Sequence, residues 1–131
     1  MTHFNSINRN IPILVVDDLS AMRRITKNCL NKLGFENITE AESAEQALEL
    51  LKANSFNLVI SDWNISDLKT ADLLRLTREN CNNQKLPILL VANESHKQEA
   101  QAVSDNQSTN YIVKPFTSDL LQEKMQTILQ K

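Results

Sequence analysis

The chain alternates short runs of apolar residues with longer segments in which apolar residues recur every three or four positions. Short runs rich in β-branched residues predict strands, and we assign five of them: Ile11–Val16, Asn37–Ala41, Leu58–Asp62, Ile88–Val91 and Tyr111–Val113. The longer segments carry the period of amphipathic helices and are predicted at about Ser20–Leu33, from Ser43, at Thr70–Asn80, at about Ser95–Asn106 and at Ser118–Gln130. The pattern therefore predicts strict alternation of strand and helix.

Such alternation determines the fold class. When each strand-to-strand connection carries one helix, right-handed crossovers produce a parallel sheet. We expect an α/β domain in which a five-stranded parallel sheet lies between helices on both faces, a three-layer sandwich. One domain is predicted over residues 1–131, with a polar tail at 1–9.

Several local signals refine the helices. The first helix is expected to bury Met22, Ile25, Cys29, Leu30 and Leu33, and to end at Gly34 as a left-handed cap. Capping boxes are predicted at Ser43–Gln46 and Ser95–Gln98. The fourth helix has little core material, with only Ala100, Ala102 and Val103 apolar, so we expect it to be the most mobile.

Composition excludes several classes of function. The chain has 41% hydrophobic and 23% charged residues and a formal net charge of −2, which argues against nucleic-acid binding. No apolar run approaches the ~18 residues of a membrane span, and the polar start does not resemble a signal peptide, so we expect a cytoplasmic protein without membrane insertion. Cys29 and Cys81 are expected to be free thiols. The single glycine, Gly34, leaves no glycine-rich phosphate loop.

Charged residues follow three of the predicted strands. Asp17 and Asp18 follow the first, Asp62 ends the third, and Lys114 follows the fifth. The carboxyl ends of these strands face a common crevice, which brings the four side chains together. Carboxylates this close repel one another unless a cation lies among them, and oxygen ligands in a wet crevice suit Mg²⁺. Lys114 could meet an anion such as phosphate. The alternative is a purely structural salt-bridge cluster.

This order of residues resembles the receiver domains of two-component response regulators, which have the flavodoxin-like (βα)5 fold. The likeness covers residues 9–130 and is strongest in four segments: LVVDDLSAMRRI, LGFENITEAE, LVISDWN and YIVKPF. Single-domain receivers of the chemotaxis type are the most similar members. Finding four motifs in the correct order and spacing is a specific signal, whereas an isolated DD or KP would carry little weight.

The resemblance implies a role for each matching residue. Asp62 would accept a phosphoryl group from a phosphohistidine on a sensor histidine kinase, and Lys114, after a cis peptide bond to Pro115, would pair with the phosphoryl oxygens. Asp18, Asp62 and the backbone carbonyl of Asn64 would bind Mg²⁺, with Asp17 holding a metal-bound water. Asn64 and Glu94 would modulate self-dephosphorylation. The fourth helix, fifth strand and fifth helix would form the output surface for the flagellar switch or another protein.

The sequence also departs from the pattern of the family. The switch hydroxyl at the end of the fourth strand is replaced by Ala92, which cannot donate to a phosphoryl group, and Asn93 could be a substitute donor. Losing a hydrogen bond to a charged group, worth about 1.5–3 kcal/mol, would weaken coupling to the output roughly 10–100-fold. The usual glycines are replaced by Thr70 and by Asn106–Gln107. A switching role for Tyr111 stays open.

Other residues have plainer interpretations. We expect Trp63 to pack against the sheet edge, His96 to be a solvated helix residue, and the run Met22–Arg24 to be a solvated helix face.

Three functions remain to be weighed. The leading hypothesis is a receiver that accepts phosphate at Asp62 and is not an enzyme beyond self-catalysed phosphotransfer and dephosphorylation. The second is a degenerate receiver, a phosphorylation-insensitive binding module or phosphate sink, motivated by Ala92. The third is an aspartyl-phosphate phosphatase of the haloacid-dehalogenase type. That class places DxD after the first strand and needs a lid, whereas this strand ends in DD.

Overall fold

A computed structural model describes residues 7–63, 70–80, 85–104 and 108–129. Its strands are β1 (Ile13–Val16), β2 (Ile38–Ala41), β3 (Leu58–Asp62), β4 (Ile88–Ala92) and β5 (Thr109–Val113). Its helices are α1 (Ser20–Lys32), α2 (Ala44–Ala53), α3 (Thr70–Asn80), α4 (Lys97–Val103) and α5 (Ser118–Leu129), with a short 3₁₀ helix at Glu94–His96. The strands form one parallel sheet in the order β2-β1-β3-β4-β5, which confirms the predicted fold class.

Two apolar layers cover the sheet because its strands bury side chains on both faces. On one side, strand residues pack with Leu30 of α1 and with Leu121, Met125 and Ile128 of α5. On the other, they pack with Ala44, Ala47 and Leu51 of α2 and with Leu74 of α3. The short helix α4 lies against β4 and β5, with Ala100 fully buried. The result is the predicted three-layer sandwich.

Strand register aligns the carboxyl ends of the strands. Val16 of β1 pairs with Ser61 of β3, Asp62 pairs with Val91 of β4, and Ala92 pairs with Val113 of β5. The residues that follow β1 and β5 therefore emerge at the same edge as Asp62. This edge is where parallel sheets place their binding sites.

The end of α1 follows the prediction closely. Gly34 has a φ of 97°, and the amides of Gly34 and Phe35 donate to the carbonyls of Asn31 and Leu30 in a Schellman pattern. The side chain of Arg9 donates to the carbonyl of Leu33 at 2.9 Å and lies 5.0 Å from the ring of Phe35. The predicted cap at Ser43 is also confirmed, because its hydroxyl accepts from the amide of Gln46, although the Gln46 side chain accepts from the amide of Glu42 rather than from that of Ser43.

The buried faces of two helices differ from prediction. Ile25 is 49% exposed, and Thr26 is buried beside Leu30. The face of α1 that packs on the sheet is therefore rotated by one residue from the predicted face. In the fourth helix only Ala100 of the three predicted core residues is buried, since Ala102 and Val103 face outward. That helix is also shorter than predicted, ending at Val103.

The predicted capping box at Ser95 is wrong. The cap is Asn93, whose side-chain oxygen accepts from the amide of His96 at 3.0 Å and from the hydroxyl of Ser95 at 2.7 Å. An Asn in extended conformation two residues earlier starts a 3₁₀ turn, and α4 follows from it. In the described part of the chain, no helix has the length and apolarity to cross a membrane.

Candidate functional site

Three carboxylates converge at the carboxyl edge of the sheet. Ligand oxygens of Asp17, Asp18 and Asp62 lie within 4.8 Å of one another, close enough to bind one cation together. Asp17 and Asp62 are buried at strand ends, with 4% and 6% exposure, whereas Asp18 is accessible to solvent. The cluster thus has two carboxylates fixed by the sheet and one open to an incoming ligand.

Lys114 supplies the positive charge of the site. Its ammonium lies 3.2 Å from a carboxylate oxygen of Asp62, and its side chain is about three-quarters buried. The backbone amide of Lys114 donates to the carbonyl of Ala92 at 2.8 Å, which ties this residue to the end of β4. The Lys114–Pro115 peptide bond is cis, as the resemblance implies. The four charged residues predicted to meet are therefore together.

Burial and charge act together on Asp17. The pKa of Asp17 is raised from 3.8 to about 6, chiefly by removal from water and also by the nearby charges of Asp62 and Asp18. The hydrogen bond from the amide of Leu19 and the charge of Lys114 oppose this rise in pKa. Three carboxylates face the single ammonium of Lys114 in this cluster, and binding a divalent cation would offset the excess negative charge.

The turn between β1 and α1 carries two of the carboxylates and has its own supports. The amide of Leu19 donates to a carboxylate oxygen of Asp17 at 2.9 Å, and the amide of Asp17 donates to the carbonyl of Ala41 on β2. The guanidinium of Arg23 donates to the backbone carbonyl of Asp17 at 2.6 Å. Sequence reasoning missed this contact and took Arg23 for part of a solvated helix face, since only the fold brings these groups together.

At the end of β4, Ala92 occupies the position where the resemblance implies a switch residue with a hydroxyl. Ala92 is completely buried, and its methyl group offers no hydrogen bond. Asn93 was predicted as a substitute donor; its side-chain oxygen accepts two hydrogen bonds as the cap of the 3₁₀ helix, so donation to a phosphoryl group would fall to its side-chain nitrogen. Glu94 is the exposed first residue of that helix.

Beside the acceptor strand, two aromatic rings stack. The indole of Trp63 and the imidazole of His96 are 6.4 Å apart between centroids and inclined by 29°. Trp63 is partly buried against the apolar layer, as expected, and its amide donates to the carbonyl of Val91 at 2.7 Å. His96 was expected to be a solvated helix residue, but it is only partly exposed and covers this ring.

The remaining predicted residues fall into two groups. Tyr111 is partly buried on β5, and the ammonium of Lys124 lies 4.6 Å from the centre of its ring. Asn64, the loop that follows it and Asn106–Gln107 lie outside the described residues, as does the side chain of Thr70. Their assigned roles stay predictions.

Comparison with known proteins gives one consistent result. The family model for the response regulator receiver domain matches residues 13–126. Chemotaxis protein CheY-3 of Vibrio cholerae is 39% identical over 125 residues, which cover 95% of this chain and 96% of that protein. Chemotaxis protein CheY1 of Helicobacter pylori is 41% identical over 118 residues, covering 89% and 95% respectively.

Solved structures give the same fold. The structure of Vibrio cholerae chemotaxis protein CheY4 matches with a TM-score of 0.76 and 27% identity, covering 92% of this chain and 99% of that one. A response regulator receiver domain protein from Clostridium thermocellum matches with a TM-score of 0.78 at 23% identity, covering 91% and 94%.

Proposed function

From the premise that the chain belongs to the response regulator receiver domain family and is CheY-like, we propose that it is a phosphoryl acceptor. Asp62 takes the phosphoryl group from a histidine kinase in a Mg²⁺-dependent reaction. The observation that carries the proposal is the placement of Asp62, with Lys114 at 3.2 Å and two further carboxylates within 4.8 Å.

The reaction requires little covalent chemistry from the protein. A carboxylate oxygen of Asp62 attacks the phosphorus of a phosphohistidine, the N–P bond breaks, and its electron pair returns to the imidazole of the kinase. Lys114 exchanges its contact with Asp62 for one with a phosphoryl oxygen and offsets the negative charge. Since phosphoryl transfer is mainly positioning and charge stabilisation, a buried acceptor fixed at a strand end is well suited to it.

The donor set supports Mg²⁺ as the cofactor. Asp18, Asp62 and the backbone carbonyl of Asn64 are the proposed direct ligands, and Asp17 is proposed to hold a metal-bound water. These are oxygen donors, the excess negative charge of the cluster favours a divalent cation, and Asp18 leaves the site open to water. When bound, Mg²⁺ would neutralise charge on the transferring phosphoryl group.

The acyl phosphate is proposed to be lost by hydrolysis in the same site, so the chain is not an enzyme with a separate substrate. Asn64 and Glu94 are the positions proposed to set the rate of this loss. Membership of the receiver family, together with DD rather than DxD after β1, argues against the phosphatase alternative.

The names of the relatives suggest the partners. Because proteins covering nearly the whole chain are chemotaxis proteins, we assign the phosphodonor to a chemotaxis-type sensor histidine kinase. The output partner is the flagellar switch or another protein, bound at the surface formed by α4, β5 and α5. This role places the protein in the cytoplasm, with no nucleic acid or membrane insertion involved.

Phosphate uptake tests the proposal without the kinase. The purified protein is incubated with acetyl phosphate and Mg²⁺, and the intact mass is measured. We expect one added phosphoryl group in the wild type, and none in Asp62→Asn or in the presence of a chelator. An unmodified wild type, or equal modification of the Asp62→Asn variant, would overturn it.

Ala92 supports a second candidate, a degenerate receiver in which phosphorylation does not reach the output surface. Its buried methyl group cannot donate a hydrogen bond to a phosphoryl group. Such a protein would be a phosphorylation-insensitive binding module or a phosphate sink. The acceptor chemistry would be the same in both cases, and only its consequence would differ.

Hydrogen exchange separates the two candidates. Amide protection of β5 and α5 is compared with and without Mg²⁺ and beryllofluoride, a phosphoryl mimic, in the wild type and in Ala92→Thr. The degenerate receiver predicts a response at this surface only in Ala92→Thr. A clear response in the wild type would favour the signalling receiver, with coupling that does not pass through a hydroxyl at this position.

A further inference from the structure

Arg23 forms a bridge between the second strand and the turn that carries the carboxylates. One nitrogen of its guanidinium, Nη1, donates to the backbone carbonyl of Asp17 at 2.6 Å. Another, Nε, pairs with a carboxylate oxygen of Glu40 on β2 at 3.0 Å. The side chain of Arg23 is 14% exposed although it projects from a surface helix. Both ends of the guanidinium are thus occupied in a largely buried setting.

The turn that receives this bridge is also held by hydrogen bonds of Asp17 with the amide of Leu19 and with the carbonyl of Ala41. α1 begins after Leu19, which is 59% exposed and offers no side-chain cap to the helix. The backbone amide of Asp17 donates to the carbonyl of Ala41, and the Arg23 guanidinium donates to the carbonyl of Asp17. The backbone position of Asp17, and of Asp18 directly after it, is therefore set in part by a side chain six residues further along the chain.

The contact acts through position rather than through charge. The Nη1 of Arg23 donates to a backbone carbonyl and not to a carboxylate of the cluster. The charge of Arg23 is paired with Glu40, whose other carboxylate oxygen lies 3.6 Å from the ammonium of Lys27. A planar guanidinium can satisfy a carboxylate and a carbonyl at once, which a lysine does less well.

We propose that Arg23 is a positioning residue for the metal-binding carboxylates, a strut from Glu40 to the carbonyl of Asp17 that sets the geometry of Asp17 and Asp18. The inference rests on the proposed function, because it assigns a role toward Mg²⁺ binding at the same site. Groups that orient metal ligands without touching the metal commonly change metal affinity when they are removed.

Mg²⁺ affinity in the folded protein tests the strut. Arg23→Met is compared with Arg24→Met, which removes the neighbouring exposed arginine of the same helix and leaves the turn untouched. Mg²⁺ alone is titrated, and binding is followed by the fluorescence of Trp63, the only tryptophan, and by the amide NMR shift of Asp62. We expect Arg23→Met to weaken binding roughly 10-fold, and Arg24→Met to bind as the wild type does.

Two further variants keep the test decisive if Arg23→Met folds poorly. Glu40→Gln removes the anchor but keeps the donor, and should weaken Mg²⁺ binding less than Arg23→Met does. Arg23→Lys should restore part of the affinity lost in Arg23→Met. Thermal unfolding of the metal-free variants is recorded alongside, because a merely structural residue would lower the melting temperature and leave Mg²⁺ affinity unchanged.

The outcomes distinguish the strut from the function it serves. If the wild type binds Mg²⁺ and accepts phosphate while the Arg23 and Glu40 variants bind Mg²⁺ equally well, the strut is wrong and the proposed function stands. If the wild type neither binds Mg²⁺ nor accepts phosphate, the proposed function itself fails.

Discussion

Burial of the Asp17 carboxylate in the site lowers the stability of the metal-free protein. Its carboxyl is buried beside two others, and the pKa of Asp17 rises from 3.8 to about 6, chiefly because burial disfavours the charged form. Between those two pH values the folded protein binds more protons at this group than the unfolded chain does. The contribution of Asp17 to stability is therefore greatest at low pH and is lost as pH rises through about 6.

We predict that Asp17→Asn stabilises the metal-free protein at neutral pH. The difference between 3.8 and about 6 corresponds to on the order of 1–3 kcal/mol of unfolding free energy, because a charge no longer has to be buried. Urea unfolding in a chelator should show this gain at about pH 7.5 and little of it near pH 4. Equal stability of wild type and variant at the higher pH would contradict the electrostatic account.

Sequence reasoning found the charged residues of the site because each lies at the carboxyl end of a strand or within two residues after it. Asp17, Asp18, Asp62 and Lys114 needed only the strand pattern and the rule that parallel strands open at one edge. Arg23 could not be found in this way. Its partner is a backbone carbonyl, which has no signature in sequence, and its ion pair with Glu40 depends on how α1 crosses β2.

At the scale of elements, the segment after β4 differs most from expectation. A capping box was predicted at Ser95, but the capping residue is Asn93, whose side chain caps a 3₁₀ turn at Glu94–His96. That turn carries His96 over Trp63, which directly follows Asp62 on β3. A stack between side chains of two different loops follows from tertiary structure and could not be predicted from local sequence.

We predict that this stack shields the indole from solvent. Removing the imidazole in His96→Ala should increase quenching of Trp63 fluorescence by acrylamide, because one face of the ring becomes accessible. Gln98→Ala, at an exposed position in α4 two residues further on, provides the matched control and should behave as the wild type does. Equal quenching in the His96→Ala and Gln98→Ala variants would show that the stack does not cover the ring in solution.

For the whole molecule, hydrophobic periodicity was sufficient to predict the fold. Five strands alternating with helices admit few topologies, and the observed parallel order is one of them. The buried faces of two helices were predicted less accurately. In α4 apolar residues are sparse, and in α1 the buried residue is Thr26 rather than Ile25. Ala92 lies at the end of β4, as predicted. Its effect on signalling depends on the relative free energies of the conformations of the output surface rather than on where the residue lies.

The central claim is that Asp62, rather than either neighbouring carboxylate, is the residue that becomes phosphorylated. Borohydride reduces an aspartyl phosphate to homoserine, which marks the acceptor permanently. After reaction with acetyl phosphate and Mg²⁺, reduction and proteolysis, peptide sequencing by mass spectrometry should find homoserine at position 62 and at no other aspartate. Homoserine at Asp17 or Asp18, or its absence from every peptide, would contradict the account.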